Sequence, residues 1–120
     1  MSRTVRTIFG IPVRVQVAAL ILGGALSAAS AGSQTGTVQI LYGRSDGLHL
    51  VTLSGAHMNK PACASWDYWI IKNESTSFGR SQFATLLAAK LSGDQVSITG
   101  DGTCSRWPDG EDIQSVYIDP

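Results

Sequence analysis

Hydrophobic and polar positions alternate with a period of two over residues 36–53. In TVQILYG, Val38, Ile40 and Tyr42 alternate with Thr37, Gln39 and Leu41. In LHLVTL, Leu48, Leu50 and Thr52 alternate with His49, Val51 and Leu53. Successive side chains of a strand point to opposite faces, so the pattern predicts two half-buried strands. Between them Asp46-Gly47 supplies the positive φ that a hairpin turn needs. Small residues and Lys60-Pro61 mark residues 54–62 as a loop. The stretch CASWDYWIIK, residues 63–72, places Trp66, Tyr68 and Ile70 on one face and Trp69 and Ile71 on the other. Apolar groups on both faces predict a central strand covered on each side.

The period then lengthens. In QFATLLAAKL, residues 82–91, Phe83, Leu87 and Leu91 recur every four residues, with Ala84, Leu86 and Ala88 beside them. This predicts an amphipathic helix of about three turns, capped by Ser77 or Ser81 and closed by Gly93. QVSITG, residues 95–100, reads as a fourth strand with Val96 and Ile98 inward, and IQSVYI, residues 113–118, as a fifth. The order strand, strand, strand, helix, strand, strand is that of the OB-fold, a small five-stranded barrel with a helix between its third and fourth strands. Some other small α+β sandwiches share that order. No repeat, low-complexity run or linker divides residues 32–120, which read as one domain.

Compartment changes the picture. Arg3, Arg6 and Arg14 precede or open an apolar segment at residues 17–26, no acid occurs before Asp46, and Ala29-Ser30-Ala31 follows. A basic start, a short apolar core and an A-x-A site predict a signal peptide over residues 1–31, cleaved after Ala31 or, two residues earlier, after Ala29. The apolar core is shorter than the roughly 20 residues that span a bilayer. No later segment has a membrane-spanning composition, so the product is expected to be secreted or periplasmic, with no membrane span after cleavage.

Over the whole chain nine basic residues balance nine acids. Without the leader, six lysines and arginines face all nine acids, a formal charge of −3. Nucleic-acid binding needs clustered cations, and there is neither a surplus nor a basic run. Cys63 and Cys104 form an even pair in a small exported domain, which is most simply a disulfide. A metal site would have only His49 and His57 to join them, and no C-x-x-C or H-x-x-x-H spacing exists.

The remaining candidates for chemistry are thin. GDGTCSRWPDG lacks the following helix and the Lys-Ser or Lys-Thr pair of a phosphate loop, and reads as a tight turn. Asp109, Glu111 and Asp112 lack the spacing of a calcium loop and read as a solvated loop before the last strand. His49 or His57 with Ser54 or Ser65 would make a base and a nucleophile, but no G-x-S-x-G elbow fixes a triad. The chain therefore reads as non-enzymatic, with no metal and no cofactor. Trp66, Trp69, Trp107, Tyr42, Tyr68 and Tyr117 are a heavy aromatic load for so small a domain. Those left outside the core would present flat faces that suit sugars or protein partners. Asn73-Glu74-Ser75 is a glycosylation acceptor only on a eukaryotic secretory route.

KPACASWDYW, FATLLAAKLSGDQVSITG and GTCSRWPDGEDIQSVYI together resemble the small secreted bacterial proteins related to the subtilase cytotoxin B subunit. The resemblance runs from about Thr35 to Ile118 and is most specific at Pro61-Ala62-Cys63-Ala64, at the leucine-rich helix before Ser92-Gly93, and at Gly102-Thr103-Cys104 with Trp107. It implies an OB-fold B subunit that assembles as a homopentamer, binds sialylated glycans on target cells and carries a separate catalytic subunit. In the toxin a serine before the glycine opening the first strand contributes to the sugar site, and Thr35-Gly36 stands at the comparable place. The toxin's acidic and aromatic neighbours of that serine have no counterpart in Gly32-Ser33-Gln34. The expectation is a secreted protein that binds a glycan or glycoprotein through Thr35 and Gly36. The rival reading is a periplasmic or envelope protein-interaction module without a sugar site.

Overall fold

The alternation at the start of the domain becomes β1 (Ser33–Gly43), which turns through Arg44–Gly47 into β2 (His49–Leu53). The computed structural model describes residues 30–120, so the expected leader lies outside the described residues except for Ser30 and Ala31. β1 is long because it serves two ladders. Its first half pairs with β4 (Gln95–Gly100) and its second half with β2, both antiparallel. The register shifts between Val38 and Ile40, and with it the phase of the alternation. Gln34, Gly36 and Val38 point inward, then Leu41 does, which leaves Ile40 and Tyr42 outside. An inserted residue bends a strand in this way, and the bend lets one strand belong to both sides of a barrel.

The expected ten-residue third strand shrinks to β3 (Trp69–Ile70). Residues 61–68 instead bond locally: Ala64 N–H donates to the Pro61 carbonyl (2.9 Å) and Ser65 N–H to that of Cys63 (3.0 Å). Backbone donors spent in turns cannot join a ladder. The central position was read correctly all the same. Trp69 and Ile71 enter the core, while Ile70 is buried on the opposite face against Gly110. β3 pairs antiparallel with β2 and parallel with β5 (Glu111–Ile118), which in turn pairs antiparallel with β4. The sheet closes in the order β1-β2-β3-β5-β4, a small OB-fold-like all-β barrel with one helix.

That helix, α1 (Ser77–Ser92), begins five residues before the expected start, and its cap is Thr76 rather than Ser77 or Ser81. The Thr76 hydroxyl accepts from Gly79 N–H (3.1 Å) and donates to the Asn73 carbonyl (2.7 Å). Gly93 closes the helix in the left-handed conformation, as read from the sequence. The buried stripe overlaps the expected one at Leu86, with Phe83 packed against the core, and is otherwise shifted. Gly79, Gln82, Leu86 and Ala89 face the barrel, whereas Leu87 is 40% and Leu91 80% exposed. Leu86 and Ala89 join Val38, Val51, Leu53, Trp69, Ile71, Val96, Ile98 and Ile113 in one core. Among the described residues no helix is long and apolar enough to cross a membrane.

Cys63 and Cys104 form the expected disulfide, with Cα atoms 6.1 Å apart and a separation of 41 in sequence. By the chain-entropy argument such a closure contributes about 4 kcal/mol. It fastens the irregular segment before β3 to the loop between β4 and β5.

Candidate functional site

The disulfide sets the stage for the aromatic residues around it. Trp66 follows Cys63 by three residues, and its backbone N–H donates to the Asp109 carbonyl (3.2 Å). The Tyr68 hydroxyl donates to the Asp109 carboxylate. Both segments are thereby tied to one acid as well as to each other. Trp66 and Tyr68 lie parallel, ring centroids 6.4 Å apart and planes 8° from coincidence, and Trp66 is 61% exposed. Gly110 lets the Tyr68 ring approach: a Cβ there would stand 2.5 Å from Tyr68 Cε2. Burial and then the Asp109 carboxylate push the Tyr68 phenol up to about 12, so it remains a donor. Trp107, on the same loop, carries the Arg44 guanidinium 4.4 Å above its ring. The Lys60–Asp67 ion pair (2.7 Å) borders Trp66 in sequence. An exposed indole beside carboxylates offers stacking to an apolar ring face and acceptors to hydroxyls.

Thr35 and Gly36 come to lie in different settings. Thr35 points outward from β1, its hydroxyl 2.7 Å from that of Ser97, which donates to the Asp119 carboxylate (3.0 Å). The result is an outer row of two hydroxyls ending on an acid. Gly36 is buried: a Cβ there would fall 2.0 Å from the Ser54 carbonyl oxygen. Its part is to let the chain after β2 cross β1, with Ser54 Oγ accepting from Thr37 N–H (2.9 Å).

A polar cleft of about 480 Å³ opens between the β1–β2 turn, residues 72–75 and Arg106. Its cations are already engaged. Lys72 pairs with Asp101 (2.8 Å) and Arg106 with Glu74 (3.4 Å), while His49 Nδ1 lies 3.4 Å from Glu74. Hydrogen bonding to Asp101 raises the Lys72 pKa, so that charge is held in place.

The acids before the last strand correct the sequence reading. β5 starts at Glu111, and Glu111 and Asp112 are fully buried rather than solvated. Asp112 accepts from Ser105 N–H (2.8 Å), the Ser105 hydroxyl (2.6 Å) and the Thr103 hydroxyl (2.9 Å), and so shapes the loop that carries Cys104. Glu111 accepts from Gly32 N–H (2.9 Å) and Gly102 N–H (3.0 Å), with His57 Nε2 at 3.3 Å. His57 does not stand free beside a serine. It stacks on Trp69 (4.0 Å, 23°), and neither its side chain nor that of Glu111 has exposed surface. A carboxylate–imidazole pair so placed is sealed from any substrate.

Asp109 as the anchor of the aromatic pair escaped sequence reading because its partner Tyr68 lies 41 positions away. The buried Glu111 left a signal: Gly32 and Gly100 make room for its carboxylate, and Gly102 N–H bonds to it. No family model matches the chain, and neither a curated protein nor a solved structure matches it.

Proposed function

We propose that the protein is exported and binds a glycan, presented free or on a glycoprotein, and that Trp66 and Tyr68 form the platform for it. The observation that carries this reading is the exposed Trp66 ring held parallel to Tyr68 on a segment anchored by the disulfide and Asp109. An exposed aromatic on a backbone already held by the disulfide and Asp109 spares a ligand the cost of ordering that backbone. In OB-folds the loops joining strands 1 to 2 and 4 to 5 flank the ligand face for oligonucleotides and oligosaccharides. Here those loops supply Arg44 and Trp107 to the same end of the barrel. A net charge of −3 without the leader argues against the oligonucleotide.

A second placement has its own support: the outward Thr35–Ser97–Asp119 row offers hydroxyls and a carboxylate at the position where the resemblance expects the sugar contact. The ring of five copies and the separate catalytic subunit belong to the same resemblance. The catalytic chain would come from a neighbouring reading frame for an exported enzyme.

An array of sialylated and neutral sugars tests the reading. Wild-type protein is expected to retain at least one glycan, and Trp66→Ala to bind it at least about tenfold more weakly, a change of roughly 1.4 kcal/mol. Its melting temperature should stay within a few degrees of wild type because the indole is largely outside. Loss on Thr35→Ala with Trp66→Ala unaffected moves the site to the hydroxyl row. No retained sugar overturns glycan binding in favour of a protein-interaction module.

A further inference from the structure

Glu111 is a carboxylate without exposed surface, and the ionisable side chain that touches it among the described residues is His57. Burial lowers the His57 pKa despite the neighbouring acid, so the imidazole is a poor counter-charge at neutral pH. A buried carboxylate normally sits beside a cation or a full set of donors. Here the remaining partners are backbone N–H groups, those of Gly102 and Gly32.

Gly32 follows the Ala29-Ser30-Ala31 site directly. It is buried, while Ala31 before it is exposed. Its surroundings admit no side chain: a Cβ would stand 2.3 Å from Glu111 Oε1 and 2.7 Å from His57 Nε2. Gly100, across from it, is equally constrained, with a Cβ 1.8 Å from Glu111 Oε2, and its N–H donates to the Gly32 carbonyl (2.9 Å). Ser33 and Met58 then exchange backbone bonds (2.9 and 2.8 Å), which fix the chain from residue 33 onward. The first atom of this fixed segment is the nitrogen of Gly32, 2.9 Å from the buried carboxylate.

We propose that Glu111 is a built-in receptor for the α-ammonium group of Gly32, created when the leader is cut between Ala31 and Gly32. The inference rests on the export part of the proposed function and not on the glycan. Hydrolysis of the Ala31–Gly32 peptide bond consumes one water. The hydroxyl goes to the Ala31 carbonyl carbon and the hydrogen to the Gly32 nitrogen. Transfer of the new acid's proton, through solvent, leaves a carboxylate on the departing leader and an ammonium on Gly32. One neutral N–H donor thus becomes a cation with three donors, at the place where Glu111 has no fixed positive charge. Processing converts a hydrogen bond into a buried ion pair. Around the pair, His57 faces Glu111 directly, Lys60 and Asp67 lie beyond His57, and Asp101 precedes Gly102 on its loop with Lys72 bonded to it.

The full-length chain is expressed with its leader in an exporting bacterial host, and the N-terminus of the exported protein is read by intact mass and end-group sequencing. Gly32 is expected. A start at Ser30, from cutting after Ala29, overturns the proposal while leaving export standing; a retained leader overturns both. On the protein that starts at Gly32, NMR titration of the α-amine should place its pKa at least about one unit above the usual 7.7–8.0. A protein made to start at Ser30 keeps only the neutral Gly32 N–H hydrogen bond to Glu111 and should fold, yet melt roughly 5 °C lower. Glu111→Gln should remove that difference. An α-amine that titrates normally, or equal melting of the two lengths, overturns the ion pair whatever the sugar array shows.

Discussion

His57 shows how much a single side chain here depends on what surrounds it. Burial drives its pKa below 6.5, against the pull of Glu111. In the unfolded chain an ordinary imidazole takes a proton near pH 6.5, while the folded chain resists until lower pH. The unfolded state then binds more protons, so stability falls as the pH falls. The stability gained from holding the ring neutral is complete above about pH 6.5 and is lost as the pH drops through the depressed folded value. Asp67, bonded by Lys60, and Asp101, held down by Lys72 and Thr103 in spite of its burial, titrate below the ordinary 3.8 and act in a lower window. Melting temperature is therefore expected to decline between about pH 7 and pH 5 in the wild type, and to decline much less in His57→Gln. A flat wild-type profile, or equal slopes, would contradict this assignment. The same neighbourhood explains why the acids were misread from sequence. Composition around Asp109, Glu111 and Asp112 is that of a surface loop, but the Gly32 donor to Glu111 comes from 79 positions away. Local pattern reports local exposure, and Glu111 and Asp112 are buried by closure of the barrel.

At the scale of the element, the helix was legible in kind and misread in extent and in facing. The four-residue recurrence suggested a stripe through Phe83, Leu87 and Leu91 with Ala84, Leu86 and Ala88 beside it; Leu86 and Phe83 do meet the core, but the buried face of α1 runs through Gly79, Gln82, Leu86 and Ala89. The two stripes differ in what they allow neighbours to do. Small residues at 79 and 89 let the backbone approach, with Leu86 the large side chain driven into the core and Gln82 bonded to the Gln114 carbonyl (3.1 Å). Gly79 is the decisive case, because a Cβ there would stand 1.9 Å from the Asn73 carbonyl oxygen. Propensity alone favours alanine over glycine inside a helix by about 1 kcal/mol. A contact at that distance with backbone cannot relax by rotating a side chain, so the clash is expected to win. Gly79→Ala should destabilise the protein by at least about 1 kcal/mol in urea unfolding, the range in which overpacking falls. Stabilisation by this substitution would mean that residues 73–79 pack more loosely than drawn above. The hairpin turn and β4, which rest on local signals, needed no such correction, whereas the bulge after Val38 reversed the facing expected of Ile40 and Tyr42. β3 also needed correction, because whether residues 63–68 join a ladder is decided by the disulfide and Asp109, partners that lie far off in sequence.

The order of elements along the chain carried the architecture of the whole molecule, since three strands, a helix and two strands close most simply as this barrel. What order does not reveal is how completely each strand is used. β5 pairs along one side with β4 but meets β3 only at Glu111 and Asp112. Among the described residues, positions 115–118 have no strand on that second side. Tyr117 and Ile118 are exposed there, on a chain whose other strands close on one another. An unpaired strand edge is a template for another chain, and a head-to-tail contact of suitable rotation closes a ring. This edge is where a homopentamer of the proposed kind would join. Light scattering after size exclusion is expected to give five times the mass of one processed chain. Ile118→Lys places a charge at the edge, as natural edge strands do to block pairing. It should yield single chains whose disulfide and core melt as before, because Ile118 lies outside the core cluster. A single-chain mass for the wild type would discard the ring, and the β5 edge would then be an open strand on a monomeric barrel.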